Sequence, residues 1–211
     1  YRDEFEKKFA DYLDSKYAFT TNNATSALEL TAQLCQFKEG DEVICPSHTF
    51  TASLYPFIKK GATPVWVDID QVTRVVSLEL IKKCITPKTK AVIAVHLYGY
   101  CIKDIEAIAE YAKEQNILLV EDVAQALGTE VNGRKAGTFG DFGIFSFHSH
   151  KNLTTLGEGG MLVVKDSKYA DIIPLLRHNG HAQFNFERDS YWKPAMGNVE
   201  LTVLNDLVLL P

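Results

Sequence analysis

The chain has 211 residues, of which 46% are hydrophobic and 23% charged, a composition typical of a globular protein with one sizeable core. Its formal net charge is −5 and it has no basic tract, which argues against nucleic acid as the main partner. No apolar run approaches the roughly 20 residues that span a bilayer, so we predict no membrane segment.

Helical and strand patterns alternate along the chain. An amphipathic helix marked by Phe5, Phe9 and Leu13 comes first, and a short strand that ends near Thr21 follows it. Further helices are predicted at 25–34, 51–60, 78–85 and 105–112. Further strands are predicted at 41–46, 63–69, 90–99, 117–122 and 142–147, and a glycine-rich turn at 157–160 leads into another strand.

Near-continuous apolar strands joined by helices predict an α/β fold, in which a mostly parallel central sheet lies between two helical layers. We expect residues 1–211 to form one domain on this sheet, although the periodicity is lost after about residue 177, where we predict loop. The four cysteines form no CxxC pair, which indicates reduced thiols of a cytoplasmic protein and not disulfides or a zinc site.

Ligands of an open parallel sheet gather at the carboxyl ends of its strands, and two candidate sites arise there. The stretch TNNATSAL (21–28) ends a strand and opens a helix with Thr25 and Ser26. Hydroxyls and free amides at a helix start bind anions, although simple capping of the helix explains these residues equally well. Asp122 ends the strand 117–122, where it is either a functional carboxylate or a cap.

A third candidate is Lys151, which follows the strand that contains Ser146. By itself it is a solvated loop charge, a phosphate clamp or a covalent anchor for a carbonyl cofactor. Together the three candidates match what pyridoxal phosphate requires: a lysine amine for the aldehyde, an aspartate for the ring nitrogen, and a serine and helix start for the phosphate. Neither GxGxxG nor GxxxxGK[ST] occurs, so the two common nucleotide-binding loops lose their main support.

Four other polar residues lie near these candidates. Glu121 precedes Asp122 and should point to the opposite side of the strand. His96 ends a buried strand, where we expect a structural role. His148 and His150 flank the lysine, and each either lines a cleft or makes local packing and loop contacts.

Several motifs, taken in order, resemble those of the DegT/DnrJ/StrS-type sugar aminotransferases, which are fold-type I pyridoxal phosphate enzymes. The motifs are NNATSAL, PSHTFTAS, HLYG, EDVAQALG, GRKAGTFGDFGIFSFHSHKNLTTLGEGG and LRHNG. The resemblance runs from about residue 5 to about residue 200, and the long motif around Lys151 is hard to meet by chance.

The resemblance implies a set of site residues. Lys151 would carry the cofactor covalently, and Asp122 would pair with the pyridine nitrogen. The other implied cofactor contacts are Gln125 to the ring hydroxyl, Phe50 on the ring face, Ala24, Thr25 and Ser146 to the phosphate, and Asn198 to the phosphate of a neighbouring subunit.

The resemblance also implies an activity and partners. An amino group would pass from an amino acid, expected to be glutamate, to a keto group of a nucleotide-linked sugar. A keto-sugar dehydratase of the same family is the alternative enzyme, although those proteins carry histidine where this chain has Lys151. A regulatory or assembly protein that keeps the fold without catalysis is the third possibility.

Two statements on architecture follow from the same resemblance. Family members build each active site from two subunits, so we expect a homodimer. They also continue into a smaller C-terminal domain, which we expect to be absent or truncated in this chain.

Overall fold

A computed structural model of the chain describes residues 1–177. The chain divides into two compact units, Tyr1–Lys165 and Asp166–Pro211. The described part of the second unit holds one helix, α6 (Ser167–Leu176). No helix within residues 1–177 combines the length and the apolar character that crossing a membrane requires.

The first unit alternates helices and strands from its beginning. Its helices are α1 (Arg2–Leu13), α2 (Ala24–Cys35), α3 (Tyr55–Lys59), α4 (Leu78–Lys82) and α5 (Ile105–Glu114). Its strands are β1 (Tyr17–Thr21), β2 (Glu42–Pro46), β3 (Thr63–Val67), β4 (Thr89–Val95), β5 (Leu118–Asp122), β6 (Glu130–Val131), β7 (Arg134–Lys135), β8 (Phe142–Ser146) and β9 (Gly160–Val164). Seven strands form one sheet in the order β1-β9-β8-β5-β4-β2-β3, and β6 pairs with β7 alone.

The central sheet is mostly parallel, which confirms the predicted fold class. Strands β3, β2, β4, β5 and β8 run in one direction, whereas β9 is antiparallel to both of its neighbours, β8 and β1. The segment 147–159 between β8 and β9 contains no helix. A parallel connection usually contains a crossover helix, and this segment has none; the chain turns back beside β8, and β9 pairs with it antiparallel.

Helices cover both faces of the sheet around β9. Met161 and Val163 face the apolar cluster that contains Phe9 of α1, whose ring lies 5.1 Å from that of Phe145. Gly160 faces the other way, toward the first residues of α2. Because successive strand residues point to opposite faces, α1 and α2 lie on opposite sides of the sheet.

Two predicted segments differ from the structure in kind or extent, and one short hairpin is additional to the predictions. The predicted helix 51–60 is a 3₁₀ helix, Thr51–Ser53, followed by the short α3, which has a proline in its first turn. The predicted strand 90–99 ends at Val95, because Tyr98 has a left-handed backbone, with φ 54°, that no strand accommodates. The β6–β7 hairpin was not predicted, since strands of two residues leave no periodicity to detect.

A buried carboxylate, Glu121, joins the end of β5 to the loop before β8. Its oxygens accept hydrogen bonds from the amides of Phe139 and Gly140 at 2.7 and 2.6 Å, and from that of Gly137 at 2.8 Å. The Nε2 atom of His96 lies 3.0 Å from the same carboxylate, and both side chains are fully buried. Glu121 therefore points away from Asp122, and His96 has a structural role, as the sequence predicts.

The partners of Glu121 determine its charge. The Nδ1 atom of His96 accepts a hydrogen bond of 3.1 Å from the Ile102 amide, so its proton is on Nε2 and is donated to Glu121. Burial alone would raise the pKa of Glu121, but His96 and the amides of Gly140 and Gly137 bring it below its ordinary value of 4.5. The ionised carboxylate is thus the stable form in the core.

We expect Glu121→Gln to lower the free energy of unfolding by about 3–5 kcal/mol, because an amide group cannot accept from four donors and leaves buried groups unpaired. Urea unfolding followed by circular dichroism measures this change. The matched control is Glu110→Gln on the exposed side of α5, which should change stability by about 0.5 kcal/mol or less.

The same pair of proteins gives a pH test. A depressed pKa stabilises the folded state above the unfolded value of 4.5, and this stabilisation is lost as the pH falls through the lower folded value. The difference in unfolding free energy between wild type and Glu121→Gln should therefore narrow below pH 4.5. A constant difference down to the acid transition would show that Glu121 is not ionised in the fold.

Candidate active site

Residues from four strands meet at one edge of the sheet. Asp122 at the end of β5 pairs with Ile144 of β8, two residues before Ser146. Ser146 pairs with Gly160 at the start of β9, and Gly160 pairs with Thr21 at the end of β1. Asp122 and Ser146 therefore lie at the same edge and, by strand alternation, on the same face of the sheet. This is the edge at which the sequence predicts a ligand site.

Gly160 allows the start of α2 to approach the sheet closely. A Cβ atom at this position would lie 2.6 Å from the Ala24 nitrogen and 2.5 Å from the Asn23 carbonyl oxygen, closer than real Cβ atoms come. Any residue with a side chain would push α2 away from the β9 strand. The hydroxyl of Ser146 and the first amides of α2 thus lie on either side of Gly160.

The first turn of α2 leaves two amides open. Asn23 caps the helix: its side chain accepts from the Ser26 amide at 2.9 Å, and its carbonyl accepts from that of Ala27. The amides of Ala24 and Thr25 have no acceptor among residues 1–177. Two free amides at the positive end of a helix, beside a serine hydroxyl, form an arrangement that suits a phosphate group.

Asp122 is held by two hydrogen bonds from separate segments. Its carboxylate accepts from the Ser53 hydroxyl at 2.7 Å and from the Ala124 amide at 3.0 Å, and the residue is only 6% exposed. The bond to Ser53 attaches Asp122 to the 3₁₀ helix that Phe50 precedes. The ring of Phe50 is free for contact, since that residue is 69% exposed.

Lys151 lines a cavity of about 420 Å³ at this edge. Other lining residues are Ser146, Gln125, Tyr98, Gly99 and His150. The backbone amide of Lys151 closes a turn onto the His148 carbonyl at 2.9 Å. Its side-chain amine forms no ion pair or hydrogen bond with any residue in 1–177. A partly buried, unpaired amine in a cavity is suited to nucleophilic attack on a carbonyl group.

Gln125 is oriented by the backbone of Tyr98. The Tyr98 amide donates to the Gln125 side-chain oxygen at 3.2 Å, so the side-chain nitrogen of Gln125 remains available as a donor toward the cavity. Tyr98 has the left-handed backbone described above, and this conformation is energetically unfavourable for any residue except glycine.

The two histidines beside Lys151 have different surroundings. His150 lines the cavity. His148 makes local contacts: its Nδ1 accepts from the His150 amide at 3.2 Å, and its Nε2 lies 3.3 Å from Glu158. Of the two alternatives left open by the sequence, the cleft applies to His150 and the loop contacts to His148.

The structure brings together most of the residues that the sequence selects, with some differences. Lys151, Gln125 and Ser146 line the cavity, whereas Asp122, Phe50, Ala24 and Thr25 are not among its lining residues. Asn198 lies outside the described residues.

Sequence reasoning missed two residues of the site, Ser53 and Tyr98. Both lie inside motifs that were recognised, PSHTFTAS and HLYG, but a serine bonded to a distant strand and a strained turn leave no periodic signal.

Several known proteins are similar to this chain in sequence and in fold. The chain is 43% identical over 180 residues to the GDP-perosamine synthase of Vibrio cholerae, an alignment that covers 85% of the chain and 48% of that protein. An aminotransferase structure from Psychrobacter cryohalolentis superposes with a TM-score of 0.86 at 35% identity, covering 92% of this chain and 50% of that one. The E. coli GDP-4-keto-6-deoxy-D-mannose-3-dehydratase with bound hydrated PLP gives a TM-score of 0.80 at 30% identity, with coverages of 85% and 47%.

The chain spans about half the length of the curated relatives it matches. A sequence profile of the DegT/DnrJ/EryC1/StrS aminotransferase family matches residues 1–205, which is nearly its whole length. The superposition with the aminotransferase structure agrees with this match, and the chain belongs to the DegT/DnrJ/EryC1/StrS aminotransferase family.

Proposed function

We propose that this chain is the cofactor-binding part of a pyridoxal phosphate-dependent aminotransferase. The enzyme transfers an amino group from an amino acid, expected to be glutamate, to a keto group of a nucleotide-linked sugar. The observation that carries the proposal is the unpaired amine of Lys151 in a cavity that also holds Ser146 and Gln125.

The phosphate end of the cofactor fits the start of α2. The open amides of Ala24 and Thr25 supply two donors, and Ser146 supplies a hydroxyl across Gly160. The close approach that only glycine permits at position 160 supports this assignment, because it places the donors of two elements around one small volume. Asn198 would add a contact to the phosphate site of a partner subunit.

The pyridine ring of the cofactor fits Asp122, Gln125 and Phe50. Asp122 would hold the ring nitrogen in its protonated form, and the side-chain nitrogen of Gln125 would donate to the ring hydroxyl. The exposed ring of Phe50 would stack on one face. When bound, pyridoxal phosphate supplies an aldehyde that condenses with amines and a protonated ring that withdraws electrons from them.

Lys151 has two roles in this proposal. Its amine would hold the cofactor covalently through the aldehyde that pyridoxal phosphate supplies. The same amine would take a proton from the substrate carbon and return it one position away, which is general acid–base catalysis by a single group. Because the amine has no partner within residues 1–177, no ion pair has to break before either step.

Lys151 also separates amination from the alternatives. Family dehydratases carry histidine at this position, and dehydration requires that no lysine recapture the cofactor. A regulatory protein would not need an amine without partners beside Ser146. A relative named GDP-perosamine synthase supports a nucleotide-linked sugar as the substrate.

The partners and location of the chain are part of the same proposal. We expect a homodimer with shared active sites and a cytoplasmic location, where amino-acid donors and nucleotide sugars are available. Because the chain spans about half of its relatives, the proposal assigns residues 1–211 to the cofactor-binding domain only.

The first test is covalent labelling. Protein loaded with pyridoxal phosphate is reduced with borohydride, and peptide mass mapping should find the phosphopyridoxyl group on Lys151. Lys151→Ala should abolish the label, and Lys113→Ala, at an exposed position near the end of α5, should keep it. A label on another lysine of the wild type would contradict the assignment.

The second test is the reaction. The protein is incubated with pyridoxal phosphate, glutamate and a panel of keto-sugar nucleotides, and mass spectrometry should detect an aminated sugar. Lys151→Ala should reduce its formation by several orders of magnitude. A deoxygenated sugar would indicate the dehydratase, and nitrogen transfer only to 2-oxo acids would rule out the sugar substrate.

The third test concerns assembly. Light scattering of the cofactor-loaded protein should give twice the 23.6 kDa mass of the chain, because each site is expected to take a residue near Asn198 from its partner. A monomer that holds cofactor and aminates a sugar would refute the shared site.

A further inference from the structure

Three side chains form a hydrogen-bonded row that ends at Asp122. The hydroxyl of Thr49 lies 2.8 Å from that of Ser53, and the Ser53 hydroxyl donates to Oδ2 of Asp122 at 2.7 Å. Thr49 and Ser53 come from the segment after β2, whereas Asp122 ends β5, 69 residues further along the chain. The row thus links two strand ends.

The direction of the two bonds follows from the chemistry of the groups. An ionised carboxylate only accepts hydrogen bonds, so the Ser53 hydroxyl uses its single proton in the hydrogen bond to Asp122. The hydroxyl of Ser53 must then accept from Thr49. A hydroxyl that accepts one hydrogen bond becomes a stronger donor in the next, so Thr49 strengthens the bond between Ser53 and Asp122.

Asp122 depends on these donors because its surroundings are poor in charge. Ser53 is only 1% exposed, and no cation among residues 1–177 pairs with Asp122. Cys45 lies on the same side, and burial, with a smaller contribution from Asp122, raises the pKa of its thiol, so it stays neutral. Hydrogen bonds, including that from the Ala124 amide, are therefore what holds the Asp122 carboxylate in place.

We propose that Ser53, supported by Thr49, is a positioning residue that holds the Asp122 carboxylate in the orientation in which it would pair with the ring nitrogen of the cofactor and keep the shared proton on that nitrogen. This inference rests on the proposed function. Without the Ser53 hydroxyl, the carboxylate would lose one of its two donors and would be free to rotate. A misaligned carboxylate would hold the proton on the ring nitrogen less firmly, and the ring would then withdraw electrons less strongly.

The test detects whether the ring nitrogen of the bound cofactor carries a proton. Pyridoxal phosphate labelled with ¹⁵N in the ring is bound to the protein, and the ¹⁵N chemical shift reports whether that nitrogen is protonated. In Ser53→Ala the resonance should move toward the unprotonated position, and the dissociation constant for the cofactor should rise about tenfold, as for one lost bond to a charged group. Asp122→Asn should move the resonance the whole way.

Two further variants complete the experiment. Thr49→Val, at a half-buried position, should shift the resonance in the same direction but less, and it also serves if Ser53→Ala does not fold. Ser47→Ala removes an exposed hydroxyl from the same segment and should leave the resonance unchanged.

The outcomes separate this inference from the proposed function. If wild type binds no pyridoxal phosphate, the proposed function and this inference both fail. If Asp122→Asn moves the resonance but neither Ser53→Ala nor Thr49→Val does, the function stands and the positioning role of Ser53 is wrong.

Discussion

The site depends on one buried carboxylate that takes no part in its chemistry. Glu121 accepts four hydrogen bonds inside the core and so fixes the last turn of the chain before β8 against the end of β5. The next residue, Asp122, faces the opposite side of the strand, and its backbone is held in place by the same contacts. Because this strand end is rigid, two neutral hydrogen-bond donors, the Ser53 hydroxyl and the Ala124 amide, hold Asp122 in a single orientation.

The close approach of the first turn of α2 to Gly160 determines the other half of the site, where the open amides lie. Gly160 lets α2 rest against the sheet, and the antiparallel β9 brings that glycine between Ser146 and Thr21. The open amides of α2 and the Asp122 carboxylate are thus held by different elements at one sheet edge. Negative charge on a ligand would lie near the helix start and positive charge near Asp122, which gives a bound molecule one favourable orientation.

Much of this arrangement could be predicted from sequence, because strand and helix periodicity are local signals. β5 and β8 are continuous apolar runs, and the alternation along β5 predicted that Glu121 and Asp122 point to opposite sides. The reversed direction of β9 could not be predicted from its own residues, since an apolar strand reads the same in either direction. Ser53 was missed for a related reason: its partner is 69 residues away, and only the fold brings them together.

The placement of β9 also constrains how the chain can assemble. Among residues 1–177, β1 pairs only with β9, although more than a hundred residues separate them in the chain. During synthesis at about 5–20 residues per second, residues 17–21 must wait roughly 7–30 s for the strand that pairs with them. Until then the start of α2 has no Ser146 and no Gly160 beside it. If the proposed function holds, the donors of α2 and Ser146 that would bind the phosphate come together only when β9, the last strand of the sheet in the chain, is in place.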